Sequence, residues 1–286
     1  MNILLFGKNG MLGSELCETL KDFPLETFLQ EGLDISDREA LFSAIRSRKP
    51  THVINAAAYT NVDGAETHQE EAFLVNAEAV KNMAEACRAT NSILIHFSTD
   101  YVFDGTSKAG YREDAPRNPI SVYGASKALG EEYLHNILPN HYIIRTSWLY
   151  GPNGKNFVDT ILSLAKKSTE LRVVDDQIGS PTFTCDLAPA ILPFLTDHLP
   201  FGMYHRTNDG VTNWAEFAEE IVRVVQLNTK IIHIKTKDFP RPAKRPQNST
   251  LLNTKLPRLR PWNEGLSDYL TMNSPVTLRL SKGDSR

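Results

Sequence analysis

"MNILLFGKNGMLG", residues 1–13, decides the fold. Residues 2–6 are a short apolar run that stops at Gly7, the pattern of a strand buried on both faces of a parallel sheet. The period then changes. Leu12, Leu16 and Leu20 recur at helical spacing and predict a helix over residues 11–22. Between strand and helix lies Gly7-x-x-Gly10-x-x-Gly13. A strand-to-helix turn that cradles a pyrophosphate needs glycine for positive φ, for close backbone approach and for tight packing of helix on strand. The helix start then offers free N–H groups and the positive end of its dipole. The spacing is not the usual G-x-G-x-x-G, so the turn fits the fingerprint imperfectly; a ligand-free βα connection is the alternative, and the strand before and helix after weigh against it.

Outward from this turn, strand and helix signals alternate. "LETFL" (25–29) reads as a second strand, and Ser36 with Glu39 as a capping box opening a helix to Arg48. Pro50 ends it, and "HVINAAA" supplies a third strand. Residues 69–90 predict one helix, with Ala72, Val75, Ala79, Met83 and Ala86 on its buried face. "SILIHF" (92–97) and "HYIIRTS" (141–147) are further strands. This alternation predicts a Rossmann-like α/β fold: a doubly wound parallel sheet with helices on both faces.

After Tyr150 the alternation weakens. Helices are expected at 154–167, 184–196 and 213–226, short strands at 171–175 and 231–235, and irregular basic chain at 238–250. The expected organisation is a dinucleotide-binding domain over 1–150 and a smaller C-terminal substrate-binding lobe over 151–272, some of whose segments return to the first domain. Residues 273–286 form a polar tail without period, expected to be disordered.

Composition narrows the function. The net charge of −3, with no long basic run, argues against nucleic-acid binding. Cys17, Cys87 and Cys185 are far apart and odd in number, which argues against a disulfide framework and a zinc knuckle, and the histidines are scattered. No metal site is expected. No apolar run approaches the roughly 20 residues of a membrane span. The N-terminal run is too short for a signal peptide and lacks a basic start, so the expectation is cytoplasmic.

"VYGASKALGEEY", residues 122–133, carries the chemistry. Tyr123 and Lys127 fall four apart on one face of a predicted helix. A free phenol titrates at about 10, too high for easy proton transfer. A nearby cation stabilises the phenolate and lowers that value. Such a tyrosine can protonate a carbonyl oxygen as hydride reaches the carbon. Ser98 and Thr99, where the fourth strand ends, supply hydroxyls to position that oxygen. The spacing alone is common in surface helices; its weight comes from the glycine turn and the hydroxyl pair together. "GASKA" (124–128) is not a nucleophile elbow, because it ends in alanine within a helix.

This combination resembles the extended short-chain dehydrogenase/reductases and, within them, the dTDP-4-dehydrorhamnose reductases. The matching phrases run along nearly the whole chain: "MNILLFGKNGMLG", "VINAAAYTNVDGAE", "STDYVFDG", "NPISVYGASKALGE", "RTSWLYG", "DQIGSPTFTCDLA" and "RPQNSTLLNTKL". The resemblance implies NADPH- or NADH-dependent reduction of the C4 keto group of dTDP-4-dehydro-L-rhamnose, a dTDP-sugar small molecule, as the last step of dTDP-rhamnose biosynthesis. It makes Tyr123 the proton donor, Lys127 its electrostatic partner and Thr99 the third member of the triad. It places Gly7, Asn9, Gly10, Met11, Gly13, Asp34, Ile35, Ala58, Tyr59 and Thr60 at the cofactor, and Thr99, Asp100 and Trp148 at the sugar. Some members resemble magnesium-bridged homodimers. Glu15 fits one bridging glutamate, but Cys185 stands where the second is expected, so the metal is not carried over.

Other residues are weighed individually. Trp148 suits the sugar's apolar face or a core position equally, and Tyr101 and Phe103 suit packing. Arg241 and Lys244 suit a solvated linker, whereas Arg245, inside "RPQNS", suits a diphosphate clamp, with Asn248 a weaker candidate. Asn76 suits either a cofactor loop or helix packing. Gln30 and Glu31, at the end of the second strand, favour neither NADH nor NADPH. Two other functions fit the same motifs: an epimerase or dehydratase that retains NAD, and a regulatory subunit of methionine adenosyltransferase. The intact Thr99, Tyr123 and Lys127 argue against the second.

Overall fold

The computed structural model describes residues 1–28 and 32–272; Gln30, Glu31 and the 273–286 tail lie outside the described residues. Six strands form the central sheet: β1 (Ile3–Phe6), β2 (Leu25–Phe28), β3 (His52–Asn55), β4 (Ile93–Thr99), β5 (His141–Thr146) and β6 (Gly202–His205). All pair in parallel in the order β2-β1-β3-β4-β5-β6. The register sets Ile3 between Leu25 and His52. The chain leaves β1 for β2 on one side and crosses back to β3 on the other. The connections that leave their carboxyl ends therefore diverge at a switch point, where open α/β sheets hold ligands.

Every residue of β1, β3 and β5 is buried, as apolar runs in a two-faced sheet require. One face carries Leu4, Phe6, Val53, Leu94 and Ile143 against Leu41, Ile45, Val80, Met83 and Leu134. The other carries Ile3, Leu5, Ile54, Ile95 and Ile144 against Leu12, Leu16, Leu187, Ile191 and Phe194. Each such side chain contributes roughly 1.5–3 kcal/mol of burial. The helices that supply most of them are α1 (Met11–Thr19), α2 (Arg38–Arg48), α3 (Ala79–Thr90) and α4 (Val122–Ile137), while Leu187, Ile191 and Phe194 come from the 184–196 segment.

Three sequence expectations change. The cap of α2 is Asp37, which accepts from Ala40 N–H at 3.0 Å, while Ser36 instead donates its N–H to Asp34. A carboxylate is the stronger partner for the positive helix end. The helix expected over 69–90 is interrupted by a wide π turn at Leu74–Glu78 between Gln69–Phe73 and α3, and Asn76 sits within it. The helix expected over 184–196 breaks into Thr184–Leu187, a 3-10 turn at Pro189–Ile191, and Leu192–Thr196, because Pro189 and Pro193 interrupt the backbone ladder.

The C-terminal half builds its own core. Helices α5 (Phe157–Ala165), α6 (Trp214–Val224) and α7 (Trp262–Met272) surround Tyr150, Phe183, Phe217 and Tyr269. Glu170–Val174 pairs in parallel with Lys230–Ile234 beside them. β6 and α7 were not expected from sequence. β6 brings the later half of the chain back onto β5, and Leu187, Ile191, Phe194 and Tyr204 join the core on the α1 face. A buried ion pair, Arg145 on β5 to both oxygens of Glu131 at 2.8 and 2.7 Å, locks α4 to the sheet.

Candidate active site

The carboxyl ends of β1 and β3 are in contact through backbone. Gly7 has φ +88°, and a Cβ there would meet Ala57 N at 2.5 Å. At Gly13 a Cβ would fall 1.9 Å from the Gly7 oxygen, so α1 can lie on the turn only if that residue is glycine. Gly10 is different. It has an ordinary φ of −73° and caps α1 without a side-chain bond, and its nearest would-be contact is 3.4 Å away. With no acidic residue in the first turn of α1, its free N–H groups face open space.

That space is a cavity of about 720 Å³ along the switch point. Asn9, Gly10 and Met11 border it on the turn, Asp34 and Ile35 beyond β2, and Ala58 and Thr60 beyond β3. Thr99, Asp100, Tyr123, Lys127 and Trp148 border the same cavity. Its size and its polar groups at the phosphate end fit a dinucleotide with room beside it. Gly13 lies beneath the turn, and Tyr59 stands behind the lining. Asn76 accepts from Tyr59 N–H at 2.9 Å and donates to its carbonyl and to Ser126. The π turn thus joins the post-β3 loop to the helix that carries Tyr123.

α4 starts at Ser121, which accepts from Gly124 N–H at 3.2 Å. Gly124 is a forced glycine, since a Cβ would meet the Tyr101 carbonyl at 2.2 Å. The first turn of the helix therefore presses onto the loop after β4 and sets Tyr123 beside Thr99. Burial pushes the Tyr123 phenol up to about 12; a Thr99 hydrogen bond lowers it and the Asp100 carboxylate raises it. The expected acidification by Lys127 is thus not met. Lys127 Nζ donates to the Phe97 carbonyl at 2.7 Å and lies 3.3 Å from His96 Nε2, beneath the cavity floor. Burial lowers its ammonium to about 8, with Glu131 one turn along opposing.

Asp100 is 1 % exposed and pushed up to about 6 by burial, against hydrogen bonds from Ser249 and Thr99. Thr99 Oγ1 donates to Asp100 at 3.0 Å and accepts from Tyr101 N–H at 3.2 Å. Ser249 was not anticipated; its only sequence signal is its place in the "RPQNST" stretch. Trp214 was also missed. It stacks on Trp148 with ring centroids 3.6 Å apart, and both border the cavity.

Arg245 is placed elsewhere. Its guanidinium donates to Asp63 and to the Ala243 carbonyl, both at 2.6 Å, and does not line the cavity. Asn248 donates to the carbonyls of Ser107 and Lys108 and secures that loop. Cys185 Sγ donates to the Glu15 carboxylate at 3.2 Å. Among the described residues no three His, Cys, Asp or Glu side chains are grouped to hold a metal.

Residues 1–274 match the family model described as the RmlD substrate binding domain. The spore coat polysaccharide biosynthesis protein SpsK of Bacillus subtilis (strain 168) is 40% identical over 278 residues, covering 95% of this chain and 98% of its own. The structure of a dTDP-4-dehydrorhamnose reductase from Clostridium acetobutylicum ATCC 824 superposes with a TM-score of 0.91 at 40% identity, over 96% of this chain and 99% of that one. That of dTDP-4-dehydrorhamnose reductase from Bacillus anthracis str. Ames in complex with NADP gives 0.90 at 35% identity, over 95% and 99%.

Proposed function

Because the chain belongs to the family described as the RmlD substrate binding domain, we propose that it reduces the C4 keto group of dTDP-4-dehydro-L-rhamnose to dTDP-L-rhamnose with NADPH or NADH. The observation that carries this reading is the shared cavity: the glycine turn and Thr99, Tyr123 and Lys127 border one space at the switch point.

The cofactor, when bound, supplies hydride. Gly7, Asn9, Gly10 and Met11 hold its diphosphate against the start of α1, Asp34 and Ile35 border its adenine end, and Ala58, Tyr59 and Thr60 shape the opposite wall. Burial keeps the Tyr123 phenol protonated at neutral pH, which suits an acid whose task is to give its hydrogen to the oxygen that becomes O4. Thr99 orients that oxygen. Lys127 completes the floor and supplies a cation or an amine beside it. Trp148 covers the sugar's apolar face, and Asp100 fixes the Thr99 hydroxyl. Arg245 acts through Asp63 rather than on phosphate, holding the 241–245 segment to the post-β3 loop.

The test is turnover. Purified protein, either nicotinamide and the 4-keto sugar nucleotide should consume the reduced-nicotinamide absorbance and yield dTDP-L-rhamnose. Absence of turnover with both cofactors overturns the assignment, and cofactor that copurifies and is never consumed transfers it to an NAD-retaining epimerase or dehydratase. A homodimer and a cytoplasmic location belong to the same proposal; sedimentation and cell fractionation check them. No helix among the described residues is long and apolar enough to cross a membrane.

A further inference from the structure

Behind Lys127 runs a buried chain of polar groups, Asn55 and His96, that the reaction scheme does not use. Asn55, at the end of β3, is fully buried, and its Oδ1 accepts the Ala57 N–H at 3.0 Å. That bond fixes the amide, because the reverse orientation would set an NH2 group against an N–H. Asn55 Nδ2 therefore points as a donor at His96 Nδ1, 3.1 Å away. A nitrogen that accepts carries no proton. His96 is itself fully buried, and burial, with Lys127 and His141 adding, holds it well below its ordinary range and thus uncharged. A neutral ring with a bare Nδ1 has its hydrogen on Nε2. Nε2 faces Lys127 Nζ at 3.3 Å.

The consequence is directional. An ammonium has three hydrogens and no lone pair, so it cannot accept from an N–H. A neutral amine can accept from His96 while donating to the Phe97 carbonyl at 2.7 Å. We propose that His96, oriented by Asn55, is a positioning residue that presents Nε2–H to Lys127 and so favours its neutral amine over its ammonium in the resting protein, a bias relieved when cofactor and sugar nucleotide fill the cavity. The last clause rests on the proposed reductase reading; the hydrogen-bond chain does not. The charged neighbours act in the same frame. Glu131 lies one turn further along α4 but is neutralised by Arg145 of β5 and approached by Arg117. Asp100 sits on the Thr99 side, and Tyr123 one turn earlier is protonated. His141 of β5 faces His96. The direction agrees: burial lowers the Lys127 ammonium to about 8, which opens a neutral fraction of about a tenth at pH 7 that a free lysine lacks.

The relay also ties two parts of the site together. Ala57 belongs to the loop that packs on Gly7, so the backbone wall beside the glycine turn and the amine under Tyr123 share one string of hydrogen bonds. Movement of that loop on cofactor binding would reach Lys127 through two side chains.

Nitrogen-15 NMR of the ligand-free wild-type protein tests the first half. His96 is expected as the Nε2–H tautomer through neutral pH, and the Lys127 ε-methylene carbon is expected to titrate near 8, assigned by its loss in Lys127→Arg. An Nδ1–H tautomer, or a Lys127 midpoint at the ordinary value of about 10.4, overturns the proposal whether or not the protein is a reductase. For the second half, His96→Gln replaces the N–H with a carboxamide. The Lys127 midpoint should rise by about one pH unit, and the Lys127-dependent limb of the kcat profile should move with it at unchanged KM. A uniform loss of kcat with an unmoved midpoint assigns His96 to packing alone. Asn55→Asp, which keeps the acceptor for Ala57 and sets a second acceptor against His96 Nδ1, should move the ring towards the Nδ1–H form in the same spectrum; a pure Nε2–H signal there removes Asn55 from the relay.

Discussion

The indole of Trp148 lies flat on that of Trp214, 7° from parallel, with ring centroids 3.6 Å apart. Trp148 holds a left-handed backbone, φ +48°, and a Cβ on Gly179 would press its ring at 2.6 Å. The ring is therefore clamped between a glycine and a second tryptophan, so it forms a fixed wall. Trp214→Ala frees it. The expected result is a rise of about fivefold in KM for the sugar nucleotide, the worth of one stacked aromatic pair of roughly 1 kcal/mol, with a smaller change in kcat. Steady-state kinetics reads both, and an unchanged KM would remove Trp148 from the sugar site.

Tyr123→Phe deletes the proton donor and little else, because Thr99 and Asp100 keep their own bond. kcat should fall by about 100- to 10,000-fold, while NADPH affinity measured by fluorescence quenching stays near that of the parent. Full activity in this variant would require another acid.

The three glycines of the turn should separate by role. Gly13→Ala forces a Cβ to within 1.9 Å of the Gly7 oxygen and is expected to cost stability, about 1–3 kcal/mol. Gly10→Ala meets nothing closer than 3.4 Å and should melt near the wild-type temperature. Its loss should fall on the cofactor instead, with affinity lower by about tenfold, or about 1.4 kcal/mol, because the added methyl stands where a pyrophosphate would approach. Equal melting temperatures for the two variants would contradict this division.

Asp100 gives a pH signature. Its folded value of about 6 lies above the unfolded carboxyl value of about 3.9. The folded protein therefore binds the extra proton between those values, and stability declines as pH rises through that window. Asp100→Asn removes the buried charge. It should melt above the wild type at pH 8, by on the order of 2 kcal/mol, and the gap should close towards pH 4. Thermal melts across this range decide it; a variant less stable at pH 8 would mean that the carboxylate is better solvated than its 1 % exposure implies.

The sheet was legible because its strands are apolar runs with a fixed period, and α1, α2 and α4 because their faces repeat. The site was legible where function demands a residue type at a local spacing, as at Gly7, Gly13, Tyr123 and Lys127. What stayed hidden depends on contacts across the chain. Ser249 reaches Asp100 over 149 residues, and Trp214 meets Trp148 only once two lobes close. β6 is four residues beginning in glycine, too short to show a period. The electrostatic expectation for Tyr123 failed for a related reason: spacing sets neighbours on a helix, but burial, which no spacing reports, outweighs them.

β6 has a consequence for how such a chain can be made. β5 has no outer neighbour until Gly202–His205 arrives. A polypeptide emerging from the ribosome must therefore hold an open sheet edge for more than fifty residues of synthesis, exposed to the edge-to-edge pairing that seeds aggregates. A fragment cut near residue 150 would keep that edge open and bare the α1 face that Leu187, Ile191 and Phe194 cover, so the first 150 residues are expected to aggregate when made alone.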